Sequence, residues 1–275
     1  SKTGIVISQT KYIKDIIDDV GLSEVKATST PLPMGIKLSS SQEEQLENPE
    51  SFRRLLGRLL YLGFTRPDIC HGTQQLSQYM QFPCKAHWNA ALHLVRYLKT
   101  TMNRGLQLNT DDSFELKAFC DVDWASCKDS RKSLTRYCVF LGGSFISWKT
   151  KKQTTVSRSS GEVEYRSMGT TTCEPIWIFN LLQDFKIIPP TPIKFYCDNQ
   201  AALYITANPI FHERTKHIEI DCHMVREKYK QGFINPMHIS SKVQSADVFT
   251  KTIPGSGFMF LISKLNLVSI STSFT

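Results

Sequence analysis

The chain has 275 residues, 41% of them hydrophobic and 21% charged, enough for one large or two modest packed domains and too apolar for wholesale disorder. A formal charge of +8 and a pI near 9.0 favour a polyanionic partner such as nucleic acid, although basicity alone does not require one. The eight cysteines form no C-x-x-C pair, and several lie in apolar runs such as Tyr137-Cys138-Val139-Phe140, which reads as reduced core thiols rather than zinc ligands or disulfides.

Residues 4–8 alternate like a short strand, and 11–20 read as a helix with Tyr12, Ile13, Ile16, Ile17 and Val20 on one stripe and Gly21 as its stop. Residues 28–50, rich in Ser, Thr, Pro, Glu and Gln, read as a loop. Helices are expected over 52–62, 68–80 and 87–99, so the first hundred residues are mostly helical apart from the opening strand. Near Leu106 the period changes. Strands follow at 116–121, 136–141 and 145–149, the last two joined across Gly142-Gly143-Ser144. A helix over 162–185 carries Pro175, which is expected to interrupt or kink it at ~3 kcal/mol. Then come a strand at 193–198, helices at 200–207 and 215–231, a strand at 233–239 and a last helix at 244–252. This order predicts an α/β fold, with a mixed sheet and helices on its faces.

No apolar run reaches the ~18–20 residues needed to cross a bilayer, so no membrane partner is expected. The opening residues pass at once into polar Ser8-Gln9-Thr10-Lys11, which is not the pattern of a signal peptide. Because the chain opens without Met, in a strand, it reads as a piece of something longer.

Several acids fall at element ends: Asp121 ends the first strand of the sheet, Glu164 lies in the first turn of the long helix, Asp198 ends the fourth strand, and Asp247 sits near the start of the last helix. Carboxylates so placed can meet at one sheet edge and hold hard divalent ions for phosphodiester hydrolysis. They can equally be surface acids, of which the chain has 25. Spacing alone leaves both readings open.

Ordered motifs run through nearly the whole chain. They include Cys120-Asp121-Val122-Asp123-Trp124-Ala125, Ser147-Trp148-Lys149-Thr150-Lys151-Lys152-Gln153, Ser159-Ser160-Gly161-Glu162-Val163-Glu164-Tyr165, Asp198-Asn199-Gln200-Ala201-Ala202 and Ala246-Asp247-Val248-Phe249-Thr250-Lys251. Upstream stand Leu59-Leu60-Tyr61-Leu62, Thr65-Arg66-Pro67-Asp68-Ile69 and Arg96-Tyr97-Leu98-Lys99. Together they closely resemble the C-terminal part of copia-type retrotransposon Pol polyproteins. Residues 1–108 are similar to the thumb- or connection-like helical segment after the reverse transcriptase palm, and 109–275 to the ribonuclease H domain. The resemblance implies a ribonuclease H-like five-stranded mixed sheet with flanking helices. It also implies two Mg2+ ions (Mn2+ as a substitute) held by Asp121, Glu164, Asp198 and Asp247 as catalytic acids.

Asp121 is preferred to Asp123 because the family acid ends the strand, and Glu164 to Glu162 because the acid directly precedes a bulky residue. The implied activity is endonucleolytic hydrolysis of RNA in RNA–DNA hybrids, with the upstream reverse transcriptase domain as a further partner. The implied place is inside the cell, in a cytoplasmic particle or the nucleus, with no secretion.

Eight basic residues between 128 and 158 face Asp129 alone. Lys128, Arg131, Lys132, Lys149, Lys151, Lys152 and Arg158, with Asn199 and Gln200, are the candidates for contact with the hybrid; a solvated face is the competing reading. Trp124 and Trp148 can stack on the substrate or pack in the core. His212, His217 and His223 are too irregularly spaced for zinc. The loop 240–245 lacks the histidine that many ribonucleases H place before the last acid, which leaves proton transfer to solvent, His238 or Lys242. Neither Asp18-Asp19 nor Asp111-Asp112 follows an aromatic in a hairpin, so no polymerase site is expected. Gly161, Leu134 and Arg136 depart from the family pattern, and a folded but inactive remnant, or a basic interaction module, stands as the alternative.

Overall fold

A computed structural model describes residues 4–40, 44–110, 113–127, 129–207, 219–241, 244–246 and 262–270. They form two compact units. The first contains β1 (Gly4–Ile7), α1 (Thr10–Asp19), α2 (Pro49–Leu62), a single 3-10 turn (Pro67–Ile69), α3 (Cys70–Ser77), α4 (Lys85–Thr100), β2 (Arg104–Asn109) and, from the end of the chain, β8 (Leu267–Ser269). Its core is made of helical stripes: Ile13, Ile16 and Ile17 from α1, Phe52, Leu55, Leu56 and Leu59 from α2, and Ala91, Leu94, Val95 and Leu98 from α4. Asn48 opens α2 by accepting from the Ser51 N–H at 3.3 Å, with Pro49 in the first turn where its missing donor is harmless. The expected single helix over 68–80 is instead the 3-10 turn followed by α3.

Inside this unit the Arg66 guanidinium is buried with Asp68, which it meets at 2.9 and 2.6 Å. It also donates to the Thr101 carbonyl and hydroxyl, and Tyr97 donates to Asp68 at 2.6 Å. Burial would raise the Asp68 carboxyl, but Arg66 and Tyr97 outweigh it and hold it below the usual range.

The strand β2 was not anticipated, nor was its pairing with a segment from the span 109–275. Residues 262–270 group with the first unit, where β8 pairs antiparallel with β2 (Arg104↔Ser269, Leu106↔Leu267) and Ile262 joins the core. A three-residue strand has too few positions to show a period, and its partner lies some 160 residues away. Gly105 makes room for this sheet: a Cβ there would stand 2.6 Å from Val6 Cγ1 and 2.9 Å from the Ile7 carbonyl.

The second unit contains β3 (Leu116–Asp123), β4 (Leu134–Leu141), β5 (Ser144–Lys152), α5 (Ser160–Asp184), β6 (Ile193–Cys197), α6 (Gln200–Ala207), α7 (Glu219–Lys230) and β7 (Ile234–His238). Its five-stranded sheet has the order β5-β4-β3-β6-β7, antiparallel from β3 through β5 and parallel across β3, β6 and β7. This is the mixed sheet with flanking helices expected from the sequence. One face, through Leu116, Ala118, Cys120, Val139, Phe195 and Cys197, packs on Tyr165 and Met168 of α5, Ala202 of α6 and Val225 of α7. The other carries a row of aromatics in which Phe119 stacks on Tyr196 at 4.7 Å and Phe145 on Trp148 at 4.7 Å.

Pro175 does not interrupt α5, which runs unbroken to Asp184 with the ring buried. The Thr172 hydroxyl and Cys173 thiol donate to the Met168 and Gly169 carbonyls in the turn ahead of it. Of the last expected helix, 244–252, only 244–246 lie within the described residues.

Candidate active site

The central strands β3 and β6 are parallel, with Phe119 opposite Tyr196, so both deliver their carboxyl ends to one edge of the sheet. Extending that register sets Cys120 beside Cys197 and brings the acids that follow them, Asp121 and Asp198, to the same edge. The first turn of α5 is pinned over this edge. The Ser167 hydroxyl donates to the Asp121 carbonyl at 3.0 Å, and the Gln153 amide donates to the Val163 carbonyl at 3.2 Å. Ser159 caps the helix by accepting from the Glu162 N–H at 3.2 Å, while Glu162 accepts from the Arg158 N–H at 2.9 Å and pairs with Arg166 at 3.2 Å. Glu162 is thus engaged at the start of the helix.

Glu164 projects elsewhere. One carboxylate oxygen of Glu164, one of Asp198 and the Cys197 thiol lie within 4.8 Å of one another. Two carboxylates at this spacing suit a hard divalent ion, and the thiol adds a softer donor. Asp198 is held by the Ser241 hydroxyl at 2.8 Å, and the Gln244 amide ties the same loop to the Cys120 carbonyl at 2.9 Å. Burial raises the Cys120 thiol well above its usual range, and Cys197, Glu164 and Asp121 push it the same way. It stays protonated as part of the floor.

Asp121 is buried but placed differently. Arg136 on β4 is its cross-strand partner, wholly buried, with Nη1 3.5 Å from Asp121 Oδ2 and Nη2 3.0 Å from Asp123 Oδ2. One guanidinium therefore bridges both acids of the strand end. The residues present suit one divalent ion at Glu164 and Asp198. At Asp121 an arginine already supplies the positive charge. Asp247 lies outside the described residues, as do His212, His217 and Lys128.

Among the other expected contacts, Lys149, Lys151, Arg131 and Arg158 are exposed. Lys152 turns inward, its Nζ 2.8 Å from Cys127 Sγ. Burial works to raise that thiol, but Lys152 and Ser130 outweigh it and lower it. Lys151, Lys152, Gln153, Thr135, Arg166 and Thr170 line a polar cleft of about 190 Å³. Asn199 accepts from the Ala202 N–H at 3.1 Å as the cap of α6, and Gln200 is exposed. Trp124 is 52% exposed. Arg136, Ser241 and Cys197 are site residues that sequence reasoning missed. The register Asp121↔Arg136 would have exposed the first, had the β3–β4 pairing been aligned residue by residue.

No family model matches the chain. It is 40% identical over 271 residues to the retrovirus-related Pol polyprotein from transposon RE1 of Arabidopsis thaliana, covering 98% of this chain and 18% of that protein. It is 33% identical over 259 residues to the Pol polyprotein from transposon TNT 1-94 of Nicotiana tabacum, covering 92% of this chain and 19% of that one. An uncharacterized mitochondrial protein of A. thaliana is 41% identical over 175 residues, or 64% of this chain and 72% of that protein. Among solved structures, the N-terminal ribonuclease H domain of a Mycobacterium tuberculosis protein, fused to maltose-binding protein, matches with a TM-score of 0.37 and 10% identity over 55% of this chain and 98% of that one, too remote to add weight.

The fold and the edge of converging acids define an α/β unit with a candidate cation site. The chain belongs to the family of retrovirus-related Pol polyproteins of copia-type transposons. It spans about a fifth of the length of the polyproteins it matches.

Proposed function

We propose that the second unit is the ribonuclease H-type nuclease region of such a polyprotein, hydrolysing the RNA strand of RNA–DNA hybrids with divalent cations. The observation that carries this reading is the meeting of the Glu164 and Asp198 carboxylates at the carboxyl edge of the parallel β3–β6 pair, in a chain of this family. Mg2+ or Mn2+ held by these two acids would supply an activated water and charge stabilisation at the scissile phosphate. The chain's own part is to keep the acids in place. Ser241 orients Asp198, Ser167 and Gln153 fix α5 and thereby Glu164, and the buried Cys120 thiol lies in the floor beneath them.

Exposed Lys149, Lys151, Arg131 and Arg158 are assigned to the phosphate backbone, and contacts to 2′-hydroxyls across the minor groove would select RNA. Polymerisation is assigned to another part of the polyprotein. Among the described residues no helix is long and apolar enough to cross a membrane.

The test is RNA release from an end-labelled hybrid in Mg2+ or Mn2+. The full chain cleaves, and Asp198→Asn loses cleavage with its melting temperature retained. Equal rates in the two proteins would refute the reading.

A further inference from the structure

Arg136 stands where the family's chemistry calls for a second cation. We infer that its guanidinium is a built-in positive charge of the site, and that this chain therefore holds one divalent ion, at Glu164, Cys197 and Asp198, rather than two. The inference rests on the nuclease reading above and deepens it.

Four features carry it. First, Arg136 is fixed by the strand itself, because antiparallel pairing of β3 and β4 sets it directly across from Asp121, and cross-strand neighbours on one face meet. Second, the fork reaches both acids of the strand end, Asp121 at 3.5 Å and Asp123 at 3.0 Å. An arginine stays charged at every accessible pH, so both carboxylates keep a cation beside them. Third, the Arg136 side chain is wholly buried, Asp121 is nearly so, and like charges repel most where water is excluded. A divalent ion on Asp121 would sit within a few ångströms of the guanidinium. Fourth, two-ion hydrolysis needs its ions ~3.5–4 Å apart on shared carboxylates. Glu164 and Asp198 can offer one such place, but on the Asp121 side a buried guanidinium already stands where a second ion would go. Moving the arginine aside would take its charge from its partners while it is still inside the fold, which is costly.

Arg136 is thus a residue that sets ion number, acting on Asp121 rather than on substrate. Its replacement by a small or neutral side chain frees Asp121 for a second ion. Arg136→Ser opens the space, and Arg136→Gln keeps most of the volume while removing the charge, which guards against a variant that fails to fold.

The experiment is Mn2+ titration of the full chain without nucleic acid, read by electron paramagnetic resonance and equilibrium dialysis, with a thermal melt of each variant. The expected result is one bound Mn2+ with an uncoupled spectrum for the unmodified chain. A second ion, with the exchange-coupled signal of a close pair, is expected in whichever Arg136 variant retains its melt. Asp198→Asn removes the single ion of the unmodified chain. Two coupled ions in the unmodified chain would overturn the inference and leave the nuclease reading standing. One ion in folded Arg136→Ser and Arg136→Gln would overturn it as well. If no form binds Mn2+, and Asp198→Asn is indistinguishable from the unmodified chain, the nuclease reading fails too.

Discussion

Two buried arginines in this chain do opposite work. Arg66 is paired so completely, with Asp68, Thr101 and Tyr97, that it serves only the core of the first unit. Asp68→Asn keeps the shape and removes the charge, leaving the guanidinium uncompensated inside the protein. The expected cost is about 3–5 kcal/mol, read as a lowered urea midpoint, and an unchanged midpoint would show the network to be dispensable. Arg136 is bound to acids at a candidate active site instead. Several kcal/mol of transition-state stabilisation ride on each ion, and 1.36 kcal/mol is tenfold in rate. Hence Arg136→Ser should speed hybrid cleavage on the order of a hundredfold. A slower variant with an intact melt would show that the arginine assists the chemistry.

At the scale of elements, the site depends on how α5 is held to β3. Ser167→Ala deletes the hydroxyl that reaches the Asp121 carbonyl, a loss of about 1 kcal/mol in stability. Its effect on cleavage should be larger than on melting, since the helix turn carrying Glu164 loses its anchor. Equal, small losses in both would mean that the turn is held elsewhere. Elements with a strong internal period were legible from the residues alone: α1, α2, α4 and the β4–β5 hairpin match their expected places within a few residues.

What could not be read was set by partners distant in sequence. The strand β2 exists because β1 and β8 flank it, and β8 is too short to signal itself. Pro175 reads as a break, yet α5 passes through it, because packing on the sheet and side-chain donors in the preceding turn offset one lost hydrogen bond. The motifs named Asp121, Glu164 and Asp198, but not the company each keeps. Arg136 looked like one more member of an outward basic strip, and only the register across β3 and β4 turns it inward against Asp121 and Asp123.

For the molecule as a whole, a charge of +8 becomes meaningful where it is exposed on the second unit. Lys149 and Lys151 stand exposed on β5, whereas Lys152 is committed to Cys127. Replacing either exposed lysine with alanine should lower the slope of log affinity for hybrid against log salt by about 1, with the same weakening for every sequence. Lys152→Ala should leave that slope nearly unchanged. The reverse pattern would place the nucleic acid on another face. If this edge of the sheet is a nuclease site for hybrids, labelling the RNA and the DNA strands of one hybrid separately and following both with Mn2+ present will reveal it. Cleavage is expected in the RNA strand alone, faster in Arg136→Ser and abolished when Asp198→Asn is added. Cleavage of both strands, or RNA cleavage that survives Asp198→Asn, would contradict the nuclease reading.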